Sequence, residues 1–163
     1  MAIRELRYDG DEILRKRSRV VEVFDDRLIE LIQDMDETMH AQNGVGLSAV
    51  QVGVLKRVIV VDTVYDGKTP SIVIVNPEII KQKGEQEVEE GCLSFPNQFA
   101  KVIRPKEVVV KGFDGYGKPI EVKGKDLLAQ CLAHEIDHLN GVLFIDRMEP
   151  GTMEYIDDSD KQE

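Results

Sequence analysis

The sequence contains no tryptophan, only two cysteines, and 21 basic residues against 31 acidic ones in a chain of 163 residues. Two cysteines are too few for the disulfide framework of a small secreted protein. The net charge of −10 and the lack of a long basic run argue against direct binding of DNA or RNA. No apolar stretch is long enough to span a bilayer, and arginines interrupt the first 20 residues, which argues against a signal peptide. We therefore expect a cytoplasmic protein without a membrane partner.

Hydrophobic residues make up 42% of the chain, which is enough for one domain with a core of its own. We expect this single domain to span residues 1–148. Residues 149–163 hold few apolar side chains and several aspartates and glutamates. The sequence therefore predicts a flexible acidic tail there.

The most informative segment is His134-Glu135-Ile136-Asp137-His138, which lies in an apolar run that favours a helix. Residues four apart lie on one face of a helix, so His134 and His138 can bind the same ion. Glu135 is close enough to accept a proton from a water held there. The segment predicts two ligands and the base of a hydrolytic metal site, although two surface histidines beside a helical glutamate would produce the same pattern.

A catalytic metal usually needs a third protein ligand. Phe144 stands where the pattern H-E-x-x-H-x-x-G-x-x-H has its last histidine, which excludes that arrangement. Glu149 and Glu154 are too near for the more distant glutamate of a thermolysin-like peptidase. His40, near the end of a predicted helix, is expected at the surface.

The two cysteines are the remaining soft ligands. Cys131 precedes His134 by three residues, but about 10 Å of helix separates it from His138, so these three side chains cannot converge on one ion. We expect Cys131 to pack or to line a pocket. Cys92 directly follows Gly91 and lies four residues before Pro96, and a thiolate in such irregular backbone could reach the histidines.

Hydrophobic periodicity predicts an α+β fold. An apolar series predicts one helix over 26–42, and Gly124 and Asp126 are expected to start a second, buried helix that carries the histidines. Between the helices, runs rich in valine and isoleucine are separated by turn signals at Asn76-Pro77 and at 113–119, which indicates antiparallel hairpins. The predicted strands cover 58–62, 72–75, 86–90, 102–103, 108–111 and 120–122.

The segment Gly44-Val45-Gly46-Leu47-Ser48-Ala49-Val50-Gln51 follows the first predicted helix. Its glycines allow another group to approach the backbone closely, and the Gln51 amide can donate to an oxygen. The glycine spacing does not match a phosphate-binding loop, so we reject nucleotide binding. A tight turn into a buried strand is the alternative interpretation.

Three segments in this order resemble the motifs of the peptide deformylase family, G-x-G-L-A-A-x-Q, E-G-C-L-S and Q-H-E-x-D-H. They are the segment from Gly44 to Gln51, Glu90-Gly91-Cys92-Leu93-Ser94, and the segment from His134 to His138. The resemblance implies antiparallel sheets packed around a central metal-binding helix. It also implies removal of the N-formyl group from the formylmethionine of newly made polypeptides, with release of formate.

The resemblance also implies roles for particular residues. Cys92, His134 and His138 would hold one divalent metal, with Fe(II) expected and zinc, nickel or cobalt as substitutes. Glu135 would be the general base and acid, and the Gln51 amide and the backbone N–H of Leu93 would form the oxyanion hole. The residues expected to bind the formylmethionyl peptide are Val45, Gly46, Val88, Gly91, Leu127 and Cys131. Val88 and Leu127 could equally belong to the core.

The chain departs from the family pattern at several positions. Ser48 replaces the usual first alanine of the first motif, and Ala133 stands where a glutamine is common. Phe99 replaces an arginine that faces the substrate in some bacterial members. The chain lacks the long basic C-terminal helix with which some members contact the ribosome, so a transient contact of that kind is in doubt.

Three alternatives remain at this stage. A zinc endopeptidase would need the third ligand that the chain lacks after its second histidine. A catalytically silent deformylase-like protein that binds peptides would usually have lost a ligand or Glu135, and both are present here. A structural metal site would need a fourth protein ligand and would give Glu135 no task.

Overall fold

The computed structural model describes residues 2–156 of the chain. One sheet and three helices form the fold, with two short 3-10 helices at Glu12–Arg15 and Ala49–Val52. The helices are α1 (Asp26–Ala41), α2 (Leu127–Leu139) and α3 (Phe144–Arg147). The strands are β1 (Gly46–Ser48), β2 (Val58–Val61), β3 (Ile72–Cys92), β4 (Phe95–Phe113), β5 (Pro119–Lys125) and β6 (Glu154–Tyr155).

The sheet is antiparallel, in the order β1-β2-β3-β4-β5, and β6 pairs with the start of β4. Its dominant feature is the long hairpin of β3 and β4, in which Cys92 pairs with Phe95. Leu93 and Ser94 therefore form the turn, and the E-G-C-L-S motif lies at the end of the hairpin. This confirms the predicted α+β fold with antiparallel strands.

Both long helices pack on strand β2, on opposite faces. All four residues of β2 are fully buried, because alternate side chains point to the two faces of a strand. Val58 and Val60 belong to the core cluster that includes the apolar face of α1. Ile59 and Val61 belong to a second cluster with the apolar side chains of α2. The helix that carries the H-E-x-x-H motif thus packs its apolar side chains against one face of the sheet.

Helix α1 matches its prediction: it spans Asp26–Ala41, and the carboxylate of Asp25 accepts a hydrogen bond from the backbone N–H of Leu28 as an N-cap. His40 is half-buried rather than free at the surface, because its Nε2 lies 2.8 Å from Asp62 Oδ2. Within residues 2–156 no helix is both long and apolar enough to cross a membrane.

The short strands predicted between residues 72 and 111 are parts of two long strands, so the predicted break at Asn76-Pro77 is wrong. The register shifts between Val75 and Glu78, and Asn76 has a positive φ of 53°. A proline cannot donate to the neighbouring strand, and a bulge removes that requirement without ending the strand. The hairpin predicted at 113–119 is confirmed.

The predicted start of the second helix is also corrected. Gly124 lies in β5 and pairs with Val108, and α2 begins at Leu127. A methyl group on Gly124 would lie 3.0 Å from Leu128 Cγ and 3.1 Å from Leu132 Cδ1. The glycine therefore allows the helix to pack closely on the strand, which is a tertiary reason that local sequence does not reveal.

The sheet continues beyond the predicted domain boundary at residue 148. In strand β6, Glu154 pairs with Phe99 and Tyr155 pairs with Gln98. The first residues of the predicted tail thus pair with strand β4. Residues 157–163, the rest of the predicted tail, lie outside the described residues.

Candidate metal centre and active site

Three candidate ligands meet where the β3–β4 hairpin touches helix α2. Cys92 is the last residue of β3, and His134 and His138 lie on one face of α2. The Nε2 atom of His138 lies 3.2 Å from Cys92 Sγ and 3.2 Å from His134 Nε2. The three ligand atoms all lie within 4.8 Å of one another. One thiolate and two imidazoles leave a coordination position open, as in catalytic rather than structural zinc sites.

A buried carboxylate orients the ring of His134. Glu90 Oε2 accepts a hydrogen bond of 2.7 Å from His134 Nδ1, and Arg104 Nε donates to Glu90 Oε1 over 2.9 Å. Burial alone would raise the pKa of Glu90, but the hydrogen bonds from His134 and Arg104 outweigh it and lower the pKa to about 2. Glu90 is therefore ionised and keeps the proton on Nδ1, which leaves His134 Nε2 free to bind a metal.

Arg104 also joins this network to a second carboxylate of helix α2, that of Asp137. Its side chain is only 2% exposed, and its Nη1 donates to Asp137 Oδ2 over 2.6 Å. Arg147 Nε donates to the same oxygen over 2.6 Å. The network ties the hairpin to the helix, so the relative position of Cys92 and the two histidines is fixed by buried charges.

The carboxyl group that lies beside the candidate ligands belongs to Glu135. Its side chain is 6% exposed, Oε2 lies 4.0 Å from His134 Nε2, and Oε1 has no hydrogen-bond partner within residues 2–156. Burial raises the pKa of Glu135 to about 7. A carboxyl group with a free oxygen and such a pKa can both accept and return a proton near neutral pH.

The two histidines respond differently to their surroundings. Burial lowers the pKa of His138, whose Nδ1 is buried without a partner in the described part of the chain. Burial acts in the same direction on His134, but the charges of Glu135 and Cys92 and the hydrogen bond to Glu90 raise its pKa well above the usual value. The anions therefore favour a positive charge at His134 Nε2, and a divalent cation would satisfy the same field as a proton.

The predicted oxyanion-hole residues border the ligands. Gln51 lies in the 3-10 helix after β1, is 1% exposed, and its Nε2 lies 3.5 Å from Cys92 Sγ. Leu93 follows Cys92 in the hairpin turn, and its side chain packs on Gly44, where an added methyl would lie 2.5 Å from Leu93 Cδ1. Both residues line the cleft described next.

A cleft of about 660 Å³ opens onto Cys92, His134 and Glu135. Five of the six predicted peptide-binding residues line it, namely Val45, Gly46, Gly91, Leu127 and Cys131. Val88 does not: it packs on the cluster that contains Leu14, Phe95 and Phe144. Burial raises the pKa of Cys131 to about 12, so its side chain is a neutral thiol. It contributes to the wall of the cleft and is not a thiolate ligand.

The two cleft glycines make room for side chains of this chain. A methyl group on Gly46 would lie 2.6 Å from Glu135 Oε2, and one on Gly91 would lie 2.8 Å from Phe99 Cε1. Both glycines are among the residues that the resemblance predicts to bind the peptide. On the side where a Cβ would point, Gly46 is covered by Glu135 and Gly91 by Phe99.

Sequence reasoning missed several residues that contribute to the site. Glu90 and Ser94 stood inside the second motif, but only the glycine, cysteine and leucine between them were assigned roles. Arg104 lies in strand β4, and Val102, Val108 and Val110 of the same strand are all buried. A single arginine in such a strand is a signal for a buried ion pair, because an unpaired buried charge is too costly. Tyr8, which lines the cleft from the N-terminal segment, gave no signal.

A Cys-His-His ligand group beside a buried glutamate is the arrangement of a mononuclear metal-dependent hydrolase. The comparisons with known proteins narrow this class. The family model for polypeptide deformylase matches residues 3–154. A peptide deformylase of Acetivibrio thermocellus is 55% identical over 148 residues, which cover 91% of this chain and 85% of that protein.

Solved structures agree with the sequence comparisons. The crystal structure of a peptide deformylase from Legionella pneumophila has a TM-score of 0.88 and 53% identity, and the match covers 91% of this chain and 88% of that one. A peptide deformylase from Synechococcus elongatus in complex with actinonin has a TM-score of 0.88 and 42% identity, with 90% and 81% covered. The chain belongs to the peptide deformylase family, which confirms the resemblance seen in the three motifs.

Proposed function

We propose that this chain is a peptide deformylase in which Cys92, His134 and His138 hold the metal and Glu135 carries the proton. The hydrolysis of N-formyl peptides follows from membership of the family. The observation that supports the residue roles is the position of Glu135 Oε1, which is buried beside the ligand group and has no hydrogen-bond partner among residues 2–156. The substrates are formylmethionyl peptides, and the products are formate and a peptide with a free N-terminal methionine.

The residues present fit a divalent metal. Two imidazole nitrogens and a thiolate sulfur lie within 4.8 Å of one another, and Glu90 holds the His134 ring with Nε2 toward the others. This donor set suits Fe(II), zinc, nickel and cobalt alike, and we propose Fe(II) as the physiological ion. When bound, the metal supplies Lewis acidity that lowers the pKa of a bound water and polarises the formyl carbonyl.

Glu135 performs the proton transfers. Its free Oε1 takes a proton from the attacking water, and the carboxyl group then delivers that proton to the nitrogen of the leaving amine. The group must be deprotonated at the start and protonated in the middle of the cycle, and burial, which raises its pKa, favours the protonated stage. Gly46, which has no side chain, leaves room for this carboxylate.

Gln51 stabilises the charge that develops on the formyl oxygen. Its Nε2 points toward Cys92 Sγ, and the backbone N–H of Leu93 is the proposed second donor. Removal of one such donor commonly costs about 2.7–4 kcal/mol of transition-state stabilisation. The methionine side chain would lie along the cleft wall formed by Val45, Leu127 and Cys131.

The test is release of formate from a short formylmethionyl peptide by the Fe(II)-loaded protein under anaerobic conditions. We expect fast release by the parent and a loss of about 10³-fold or more in Glu135→Gln, because no other group replaces the base. Glu107→Gln, which changes a half-buried residue on strand β4 that pairs with Lys125, should behave like the parent. Equal turnover by Glu135→Gln would exclude Glu135 as the base.

A catalytically silent peptide-binding protein is the second candidate. No release from a folded, metal-loaded parent would favour it, and Ser48 and Phe99 would be the first positions to examine. We further propose a cytoplasmic location and nascent chains as the source of the substrate. A transient contact with the ribosome stays a prediction that needs its own binding measurement.

A further inference from the structure

The side-chain amide of Gln51 is hydrogen-bonded at both ends inside the protein. Its Oε1 accepts from the backbone N–H of Ser48 over 3.0 Å and from the Ser48 hydroxyl over 3.0 Å. Its Nε2 donates to Ser94 Oγ over 3.1 Å and toward Cys92 Sγ over 3.5 Å. Gln51 is 1% exposed, and Ser48 and Ser94 are fully buried. Both ends of the amide therefore have protein partners, and the residue also borders the cleft.

The pattern permits one orientation of the amide. A flip by 180° would place the NH₂ group against the N–H of Ser48, and two donors cannot satisfy one another. In the observed orientation one Nε2 hydrogen goes to Ser94 Oγ, and the other faces the metal ligand Cys92. This second hydrogen is the one that can reach the developing oxyanion.

The hydroxyl of Ser48 gives Gln51 Oε1 a second hydrogen bond, in addition to the one from the Ser48 backbone N–H. A second donor on Oε1 draws electron density toward the oxygen and makes the Nε2 hydrogens stronger donors, because linked hydrogen bonds polarise one another. Ser94 takes the hydrogen that does not face the ligands and so limits rotation of the amide. The two serines come from different segments, one at the end of β1 and the other in the β3–β4 turn.

We propose that the hydroxyls of Ser48 and Ser94 are positioning groups that hold and polarise the Gln51 amide for oxyanion stabilisation. The inference rests on the proposed function, since it gives these hydroxyls a task only if Gln51 acts as a donor. Ser48 is thus more than a tolerated replacement of the family's alanine.

The competing explanation is purely structural. Ser48 is the N-cap residue of the 3-10 helix Ala49–Val52, and a lost cap would lower stability without acting on the chemistry. The chain offers a matched control in Ser18, whose buried Oγ has no hydrogen-bond partner in residues 2–156. Ser18→Ala makes the same chemical change away from Gln51.

The first measurement is steady-state kinetics on a formylmethionyl peptide. We expect Ser48→Ala and Ser94→Ala each to lower kcat by about 3- to 10-fold with little change in KM, the range for loss of one hydrogen bond that acts in the transition state. Ser18→Ala should match the parent. Unchanged kcat in both Ser48→Ala and Ser94→Ala, with an active parent, would overturn the proposal.

The second measurement does not depend on turnover. In zinc-loaded, ¹⁵N-glutamine-labelled protein, the two side-chain NH₂ signals of Gln51 can be assigned by their disappearance in Gln51→Ala. Ser48→Ala and Ser94→Ala should shift these signals and speed their exchange with water, whereas Ser18→Ala should not. Unmoved signals in both serine variants would overturn the proposal even if the parent proved inactive, and an inactive parent with shifted signals would instead count against the proposed function.

Discussion

The carboxylate of Glu135 lies directly against the Cα atom of Gly46, so that a methyl group there would come within 2.6 Å of Oε2. Gly46 opens strand β1, and Glu135 lies on helix α2. The first and third family motifs therefore meet at one point, and the absence of a side chain at Gly46 leaves room for the Glu135 carboxylate.

Gly46→Ala is expected to displace this carboxylate and to lower kcat by at least about 10-fold, because a small misplacement of a catalytic group has large effects on rate. Metal content should be unchanged. Gly10→Ala is the contrasting variant: its φ of +97° makes alanine strained, but nothing lies within 4 Å of the added methyl, so stability should fall while kcat stays the same. Parent-like kcat in Gly46→Ala would contradict the assigned position of Glu135.

Arg104→Met is expected to lower the free energy of unfolding by about 3–5 kcal/mol, since it leaves the Glu90 carboxylate buried without its bidentate partner and removes one of the two arginines that bind Asp137. It should also weaken zinc binding, because Glu90 loses the partner that holds it on His134. Arg147→Met is the matched control: Arg147 is half exposed, and its loss should cost no more than about 1 kcal/mol. Urea unfolding of the metal-free proteins and zinc titration measure the two effects separately.

The sequence predicted which residues meet at the site better than it predicted the bounds of the strands. The His134–His138 spacing follows from helix geometry, and the same local rule placed Glu135 beside them. Cys92 could be proposed from its residue type and irregular backbone, but only the tertiary fold brings a residue 42 positions away along the chain to the histidines. Local patterns placed α1 within one residue at its end.

What the sequence could not predict depends on pairing between distant residues. The run around Asn76-Pro77 reads locally as a turn, and only its pairing with β4 shows that it is a bulge. The same limit hid the role of Arg104, whose partners lie on the neighbouring strand and on α2. Ser48 was noted as a substitution, yet its hydroxyl gains a role only from the position of the Gln51 amide.

Replacing each cysteine in turn distinguishes the proposed metal ligand, Cys92, from the cleft-lining residue Cys131. Cys92→Ala is expected to abolish stoichiometric zinc or iron binding, because two imidazoles alone bind a metal weakly. Cys131→Ala should keep one metal per chain and raise KM for formylmethionyl peptides by a few-fold, since it removes one apolar contact in the cleft. Elemental analysis of the purified variants decides the point. Metal retained in Cys92→Ala would require a different third ligand.

The ion pair of His40 with Asp62 should make stability depend on pH. His40 Nδ1 donates to the backbone oxygen of Asp36 over 2.9 Å, so a bond from Nε2 to the Asp62 carboxylate requires the ring to carry both protons. Accordingly, the hydrogen bond to Asp62 raises the pKa of His40. The charged groups around the ring are Asp36 and Asp62, with the Tyr65 ring beside it.

A group whose pKa is raised on folding stabilises the protein fully below its unfolded pKa and loses that contribution as the pH rises through its folded pKa. His40→Gln should therefore lower Tm more at about pH 5.5 than at about pH 9, where the parent ring is neutral. Asp62→Asn is the control, because His40→Gln in that background should show little pH dependence. Thermal unfolding of the four proteins at both pH values gives the comparison. An equal loss of Tm by His40→Gln at both pH values would show that the ring contributes through packing and not through its charge.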